Sequence, residues 1–174
     1  MHNRVRRTVL AAMFLALALL LPFVTAQLKA VGKALCPMHF PVLLCGYFCG
    51  PWYAAAVGFL APILRSMLFG MPPMLPTGAA MALELAAYGL SSALLDAALP
   101  KKKGFVYVSL AGAMLIGRGV WGAASVVLYG LQGNTFGTEA FLAGAFASAV
   151  PGIVLQLAVI PPLVMMLKKD GKNI

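Results

Sequence analysis

Long apolar segments, separated by short polar or proline- and glycine-rich breaks, make up most of the chain. They cover residues 8–25, 37–69, 77–99, 105–131 and 138 to about 167. Gly50 and Pro51 interrupt the second segment, and because a Gly-Pro pair is typical of a turn, we predict two helices joined tightly there. A helix needs about 20 apolar residues to cross the hydrocarbon of a bilayer. The pattern therefore predicts an all-α integral membrane protein, a single domain over residues 1–174 with six transmembrane helices.

Two of the predicted spans are irregular. The second, residues 37–49, covers only about 20 Å at 1.5 Å per residue, so we expect it to be tilted, helped by local thinning of the bilayer, or re-entrant. The sixth should bend at Pro151 and again near Pro161 and Pro162, because proline lacks the amide hydrogen that a helix needs. For the same reason, the three prolines between residues 70 and 76 predict a loop between spans three and four.

Composition places the chain in lipid. Of its 174 residues, 62% are hydrophobic and only 10% are charged, whereas soluble domains are about a quarter charged. A chain this short and apolar has no soluble core that could bury these residues. The composition excludes a cytosolic enzyme, a disordered chain and a nucleic-acid-binding module, so the lipid bilayer is an expected partner and nucleic acid is not.

The positive charges are clustered between or outside the apolar segments. Nine of the 13 Lys and Arg residues lie in three groups: Arg4, Arg6 and Arg7; Lys101, Lys102 and Lys103; Lys168, Lys169 and Lys172. Six spans place all three groups on one side of the membrane, and basic segments remain in the cytoplasm. We therefore predict that both termini are cytoplasmic and that residues 70–76 lie outside.

The first span has a second interpretation. Basic residues, an apolar run and then Val24, Thr25 and Ala26 also fit a cleavable signal peptide. Its removal would leave the topology of the other five spans unchanged, so the charge rule does not decide between the two.

Ionisable residues inside the spans are costly and mark candidate functional sites. Counting the helical rise from the span ends puts Arg65, Glu84 and Arg118 at one level, in the outer half of the bilayer. His39, at the outer start of the second span, lies on the same side. The sequence thus predicts that three spans bring charge to one depth.

Other polar residues extend or flank this group. Tyr88 shares a helix face with Glu84, and Trp121 shares one with Arg118; Asn134, in the turn after span five, is a further candidate for ligand binding. Asp96, at the inner end of span four, is interpreted as a solvated interface charge. Glu139 lies at the start of span six, where the positive end of the helix dipole stabilises a carboxylate.

Two interpretations of the intramembrane charges stay open. In the first, Glu84 forms an internal salt bridge with Arg65 or Arg118 that holds spans together. Because one glutamate cannot pair with both arginines, the guanidinium of the other arginine needs another anion or must reach the outer surface. In the second, the residues line an outward-facing pocket for a small polar molecule, which two arginines would favour if it were acidic.

Sequence motifs for catalysis are missing. The chain has no phosphate loop of the G-x-x-x-x-G-K-[ST] type, no H-E-x-x-H and no G-x-S-x-G. Cys36, Cys45 and Cys49 show no metal-site spacing. Cys45 and Cys49, four residues apart in an apolar run, are interpreted as packing residues, with a metal or redox role as the alternative. We therefore predict no catalytic residue, no metal and no cofactor. A binding protein that takes its energy from a partner fits better than an enzyme.

Two stretches resemble a known family. Residues 41–53, with the sequence PVLLCGYFCGPWY, resemble the second-to-third helix junction of the substrate-binding S components of energy-coupling factor (ECF) transporters. Residues 58–89 contain Pro62, Arg65, Gly-Met-Pro-Pro at 70–73 and Glu-Leu-Ala-Ala-Tyr-Gly at 84–89. They are similar to the group that includes the pantothenate, folate and hydroxymethylpyrimidine binders.

The resemblance implies a function. S components bind a small water-soluble vitamin or precursor from outside, in pockets capped by the loops after helices one and three. They dock on a membrane coupling (T) subunit that works with two cytoplasmic ATPase subunits. Small residues on helix one form part of that docking face, and Ala12 and Ala16 have the expected spacing. The implied location is the plasma membrane of a bacterium. The positive charges of Arg65 and Arg118 favour an anionic ligand such as pantothenate.

Two other classes compete with a vitamin-binding subunit. One is a structural or assembly membrane protein whose buried charges only pair helices. The other is a stand-alone channel or facilitator, which would need polar residues through the full depth of the membrane. The apolar inner half of the spans argues against that class.

Overall fold

The described part of the chain is helical. The computed structural model describes residues 2–26, 36–100, 104–133 and 150–170, together with the single residues 137, 139 and 144. Its elements are α1 (His2–Ala26), α2 (His39–Cys49), α3 (Pro51–Phe69), a π-helical turn (Met74–Gly78), α4 (Ala79–Ala98), α5 (Phe105–Leu131) and α6 (Val150–Asp170).

Five of these helices are long and apolar enough to cross a membrane. They are α1, α3, α4 together with the π-helical turn before it, α5 and α6. The remaining helix, α2, has 11 residues and covers only about 16 Å. The all-α membrane architecture is confirmed, and the second predicted span is as short as its sequence implies.

The short helix α2 lies in the centre of the bundle. It contacts α1, α3, α4 and α6, and nine of its 11 residues are buried. A helix that is apolar on all sides belongs in such a position. Because α2 is surrounded by protein, it does not need the length of a lipid-facing helix.

The tight turn after α2 depends on its two residues. Gly50 has a φ of 95°, a left-handed backbone value that only glycine adopts without strain. Pro51 follows at the first position of α3, where its missing amide hydrogen costs nothing. The predicted break in the second apolar segment is therefore confirmed at the two residues that predicted it.

Several predicted boundaries differ from the structure. Helix α1 begins at His2, well before residue 8, and so includes the first arginines. Helix α6 is described from Val150, which puts Pro151 in its first turn, and it continues through Pro161 and Pro162. Most of residues 138–149, where the sixth span was expected to start, lie outside the described residues.

Polar contacts identify the two ends of the bundle. His39, Glu84 and Arg118 meet at one end, which we call the His39 end. Asp96 and Lys168 meet at the other, the Lys168 end. Helix α4, which carries both Glu84 and Asp96, therefore runs from the His39 end to the Lys168 end.

Candidate functional site

A buried ion pair forms the centre of the His39 end. Nη1 of Arg118, on α5, lies 3.0 Å from Oε1 of Glu84, on α4. Only 2% of Glu84 and 8% of Arg118 is exposed. The two helices approach closely because residue 117 is glycine: a Cβ there would lie 2.7 Å from the ring of Tyr88. Of the two arginines considered for Glu84, the structure pairs it with Arg118.

His39 and Tyr88 complete the cluster. Nε2 of His39 lies 3.6 Å from Oε1 of Glu84, which is long for a hydrogen bond. The rings of His39 and Tyr88 meet edge to face, with centroids 5.2 Å apart. Three helices, α2, α4 and α5, thus bring together four of the residues that were selected from the sequence.

Cys36 lies next to this cluster, and sequence reasoning did not connect it with the site. Its carbonyl accepts a 3.0 Å hydrogen bond from the amide of His39. Burial raises the pKa of its thiol, against the attraction of nearby Arg118. The group is therefore an uncharged neighbour of the ion pair. Only the position of Cys36, three residues before a candidate histidine, could have drawn attention to it.

Several polar atoms of the cluster are buried without a hydrogen-bond partner among the described residues. They are Nδ1 and Nε2 of His39, Oε1 of Glu84 and Nε of Arg118, and the hydroxyl of Ser125 on α5 is in the same state. The Glu84–Arg118 contact is thus a charge pair without hydrogen-bond geometry. A buried polar atom left unpaired costs about 1–3 kcal/mol, so the cluster retains hydrogen-bonding capacity that the protein itself does not use.

Arg65 has a different environment from the one expected. Its Nη1 donates a 3.0 Å hydrogen bond to the carbonyl of Leu19, on α1. Its guanidinium lies 5.0 Å from the ring centre of Phe23 and 5.8 Å from that of Phe69. The pairing of Arg65 with Glu84 is therefore wrong, because the face of α3 that carries Arg65 packs on α1. Arg65 joins these two helices.

The other predicted site residues are less closely connected with the ion pair. Trp121, one turn after Arg118, is half-buried, and a Cβ on Gly144 would lie 2.5 Å from its indole ring. Asn134 lies outside the described residues. Ala12 and Ala16 are exposed on α1, whereas Ala11 and Ala18 are buried in the bundle. Helix α1 thus has a buried small-residue face and an exposed one.

The Lys168 end holds a second polar cluster. Nζ of Lys168 donates to both carboxylate oxygens of Asp96, at 2.7 and 2.8 Å, and lies 5.3 Å from the ring centre of Tyr47. The hydroxyl of Tyr47 is 2.9 Å from that of Ser109. The side chain of Asp96 is 17% exposed, so this expected solvated charge is partly buried and paired with Lys168. Glu139, the other acidic residue at a span end, is exposed.

The chain matches the model of a known family. The model for the substrate-specific component of ECF transporters matches residues 6–164. Curated proteins and solved structures gave no match. The matched range contains all six described helices in whole or in large part, and it includes every residue of the cluster at the His39 end.

Proposed function

Because the chain belongs to the family of substrate-specific components of ECF transporters, we propose that it binds a water-soluble vitamin or vitamin precursor from outside the cell. The family is one of multi-pass membrane proteins in prokaryotic plasma membranes, and of transporter components rather than enzymes. It implies partnership with a T subunit and ATPase subunits. In this proposal those partners supply ATP-driven uptake, and this chain supplies recognition.

The observation that carries the proposal is the buried polar cluster of His39, Glu84, Tyr88 and Arg118. Burying a carboxylate, a guanidinium and an imidazole where apolar helices meet costs free energy. Such groups inside a membrane protein therefore mark a candidate functional site. Their unpaired atoms provide directional contacts for a small ligand. Such a site, mostly apolar with a few convergent polar groups, is typical of small-molecule binding.

The remaining candidates take supporting roles in the proposal. Trp121 walls the site from α5, and Asn134 contributes from the segment after that helix. Arg65 braces the site by joining α1 and α3, with residues 70–76 between α3 and α4 as part of the lid. The site then faces outward, and both termini with residues 101–103 are cytoplasmic, as the positions of the basic groups favour.

We place the docking surface for the T subunit on the exposed face of α1. Ala12 and Ala16 are one turn apart on that face, and small residues allow another membrane helix to approach closely. The larger side chains around them, Val9, Met13 and Leu20, are also exposed. This surface is separate from the cluster on α2, α4 and α5.

Ligand-induced stabilisation of the purified protein tests the proposal. We expect one compound of a vitamin panel to raise the melting temperature in detergent, since a ligand that binds only the folded state stabilises it. Arg118→Ala should weaken that binding by about 2 kcal/mol or more, because it removes one partner of a buried charge pair. Lys168→Ala removes a paired cation at the other end of the bundle and should leave the affinity unchanged.

A structural or assembly protein is the alternative function, and the Glu84–Arg118 pair is the observation that favours it. In that case no compound stabilises the protein, and substitutions at Glu84 or Arg118 lower only its stability. That combination of results would contradict ligand binding at this site.

A further inference from the structure

We infer that the ligand is an uncharged molecule that presents a hydrogen-bond donor beside an acceptor on one edge, as a lactam, a primary amide or an amino-substituted nitrogen heterocycle does. The inference rests on the proposed function, since it concerns the chemistry of the same site. It differs from the anionic ligand that two intramembrane arginines suggest when they are considered without their partners.

The charge balance of the site is the first argument. Arg118 is already neutralised by Glu84 at 3.0 Å, and Arg65 is bonded to the α1 carbonyl of Leu19. Arg65 packs on α1 rather than on this pair. Among the described residues around the pair, Tyr88 and Cys36 bear no charge, so the charges of Glu84 and Arg118 cancel within the cluster. A carboxylate ligand would add an uncompensated negative charge to a buried site, which is strongly unfavourable.

The geometry of Arg118 is the second argument. Arginine prefers a carboxylate because two of its N–H groups bind the two oxygens together. In this protein Nη1 already faces Glu84, and the atom left without a partner is Nε. A single N–H donor of this kind suits one acceptor atom, such as a ring nitrogen or an amide oxygen.

The unpaired atoms are the third argument. Oε1 of Glu84 needs a donor, and Nε of Arg118 needs an acceptor. His39 has one donor and one acceptor nitrogen in either neutral tautomer, and both nitrogens are unpaired. A carboxylate offers only acceptors and would leave Glu84 unsatisfied, whereas an edge with a donor and an acceptor satisfies both members of the ion pair.

Burial makes these contacts selective. His39 is 4% exposed and Glu84 is 2% exposed, so their unpaired atoms are shielded from bulk water. A ligand reaches them by displacing the groups that cover them, and each hydrogen bond it then makes replaces no bond to bulk water. A site that hydrogen-bonds its ligand in this way strongly rejects an analogue without the matching group.

Matched pairs of compounds test the inference on the unmodified protein. Each pair shares a skeleton and differs only at the carboxylate: nicotinamide and nicotinate, panthenol and pantothenate, biotin amide and biotin. Riboflavin and 4-amino-5-hydroxymethyl-2-methylpyrimidine extend the uncharged set. Melting temperatures in detergent, followed by calorimetric titration of each compound that stabilises the protein, give the affinities.

Charge-changing variants provide the second readout. Glu84→Gln replaces a charged acceptor by the weaker amide oxygen, so it should weaken an uncharged ligand about tenfold. Because it leaves Arg118 uncompensated, it should strengthen a carboxylate ligand. The double variant with Glu84→Gln and Arg118→Gln leaves no net charge on the pair. It can be measured in place of the single variant if that variant does not fold. Asp96→Asn is the matched control at the Lys168 end and should not change the affinity.

The outcomes separate the inference from the proposed function. Binding of an uncharged compound that Glu84→Gln weakens and Asp96→Asn does not supports the inference. A carboxylate that binds the unmodified protein better than its uncharged counterpart, or an uncharged ligand that Glu84→Gln does not weaken, overturns the inference and leaves the proposed function standing. If no compound of either class stabilises the protein, the proposed function fails and the inference fails with it.

Discussion

Replacing Gly89 by alanine should destabilise the bundle at a close contact between α3 and α4. A Cβ on Gly89 would lie 2.5 Å from the carbonyl oxygen of Ala54 and 2.6 Å from its carbonyl carbon. These are backbone atoms, which cannot rotate away as a side chain can. To restore an ordinary contact of 3.4 Å, the two helices must separate by about 0.9 Å.

The cost follows from the tight packing of this interface. Forcing an extra carbon into a close-packed region costs about 1–3 kcal/mol. For a chain of 150–250 residues, each kcal/mol corresponds to about 2–4 °C in melting temperature. We therefore expect Gly89→Ala to lower the melting temperature by about 2–12 °C, measured by thermal unfolding of the purified protein in detergent.

Gly119→Ala is the matched control for this prediction. It makes the same substitution on the neighbouring helix α5, where nothing lies within 4 Å of the added carbon. Because alanine is the better helix former, this variant should be as stable as the natural protein or slightly more stable. If Gly89→Ala melted at the same temperature as Gly119→Ala, the close approach of α3 and α4 would be refuted.

Three further predictions follow from the topology, the Arg65 contact and the proposed docking surface. A cysteine at Met74 should react with an impermeant reagent applied outside the cell and one at Lys102 should not; the reverse pattern would invert the topology. Arg65→Leu should lower the melting temperature, since it removes the hydrogen bond from α3 to α1, whereas an unchanged value would show that this contact does not stabilise the bundle. Ala12→Trp and Ala16→Trp should block assembly with the T subunit and uptake but leave ligand binding by the isolated protein intact; loss of binding as well would place these alanines inside the bundle.

Some features of the fold and site follow from local sequence. The apolar pattern and the Gly50–Pro51 break predict the helices, because span length and turn chemistry are local properties. The depth of Glu84 and Arg118 in the membrane also follows from local sequence, since it depends only on the number of residues from the helix ends. For that reason the sequence could place these residues at one depth and yet leave the partner of Glu84 undecided.

Other features depend on how the helices pack, which no local pattern reports. Arg65 lies on the face of α3 that meets α1, so its partner is a backbone carbonyl, which any residue of α1 could provide. Lys168 and Asp96 are 72 positions apart and meet only because α4 and α6 end on the same side. The central position of α2 has a visible signal, apolar residues on all its faces, but that signal is equally typical of a lipid-facing span.

The two polar clusters have a consequence for how such a protein evolves. Glu84 and Asp96 lie on the same helix, 12 residues and therefore about 18 Å apart. Substitutions separated by more than about 10 Å usually have additive effects on stability. The cluster at the Lys168 end can therefore keep joining the helices while residues at the His39 end are exchanged. Under the proposed function, new ligand preferences would then arise on an unchanged scaffold.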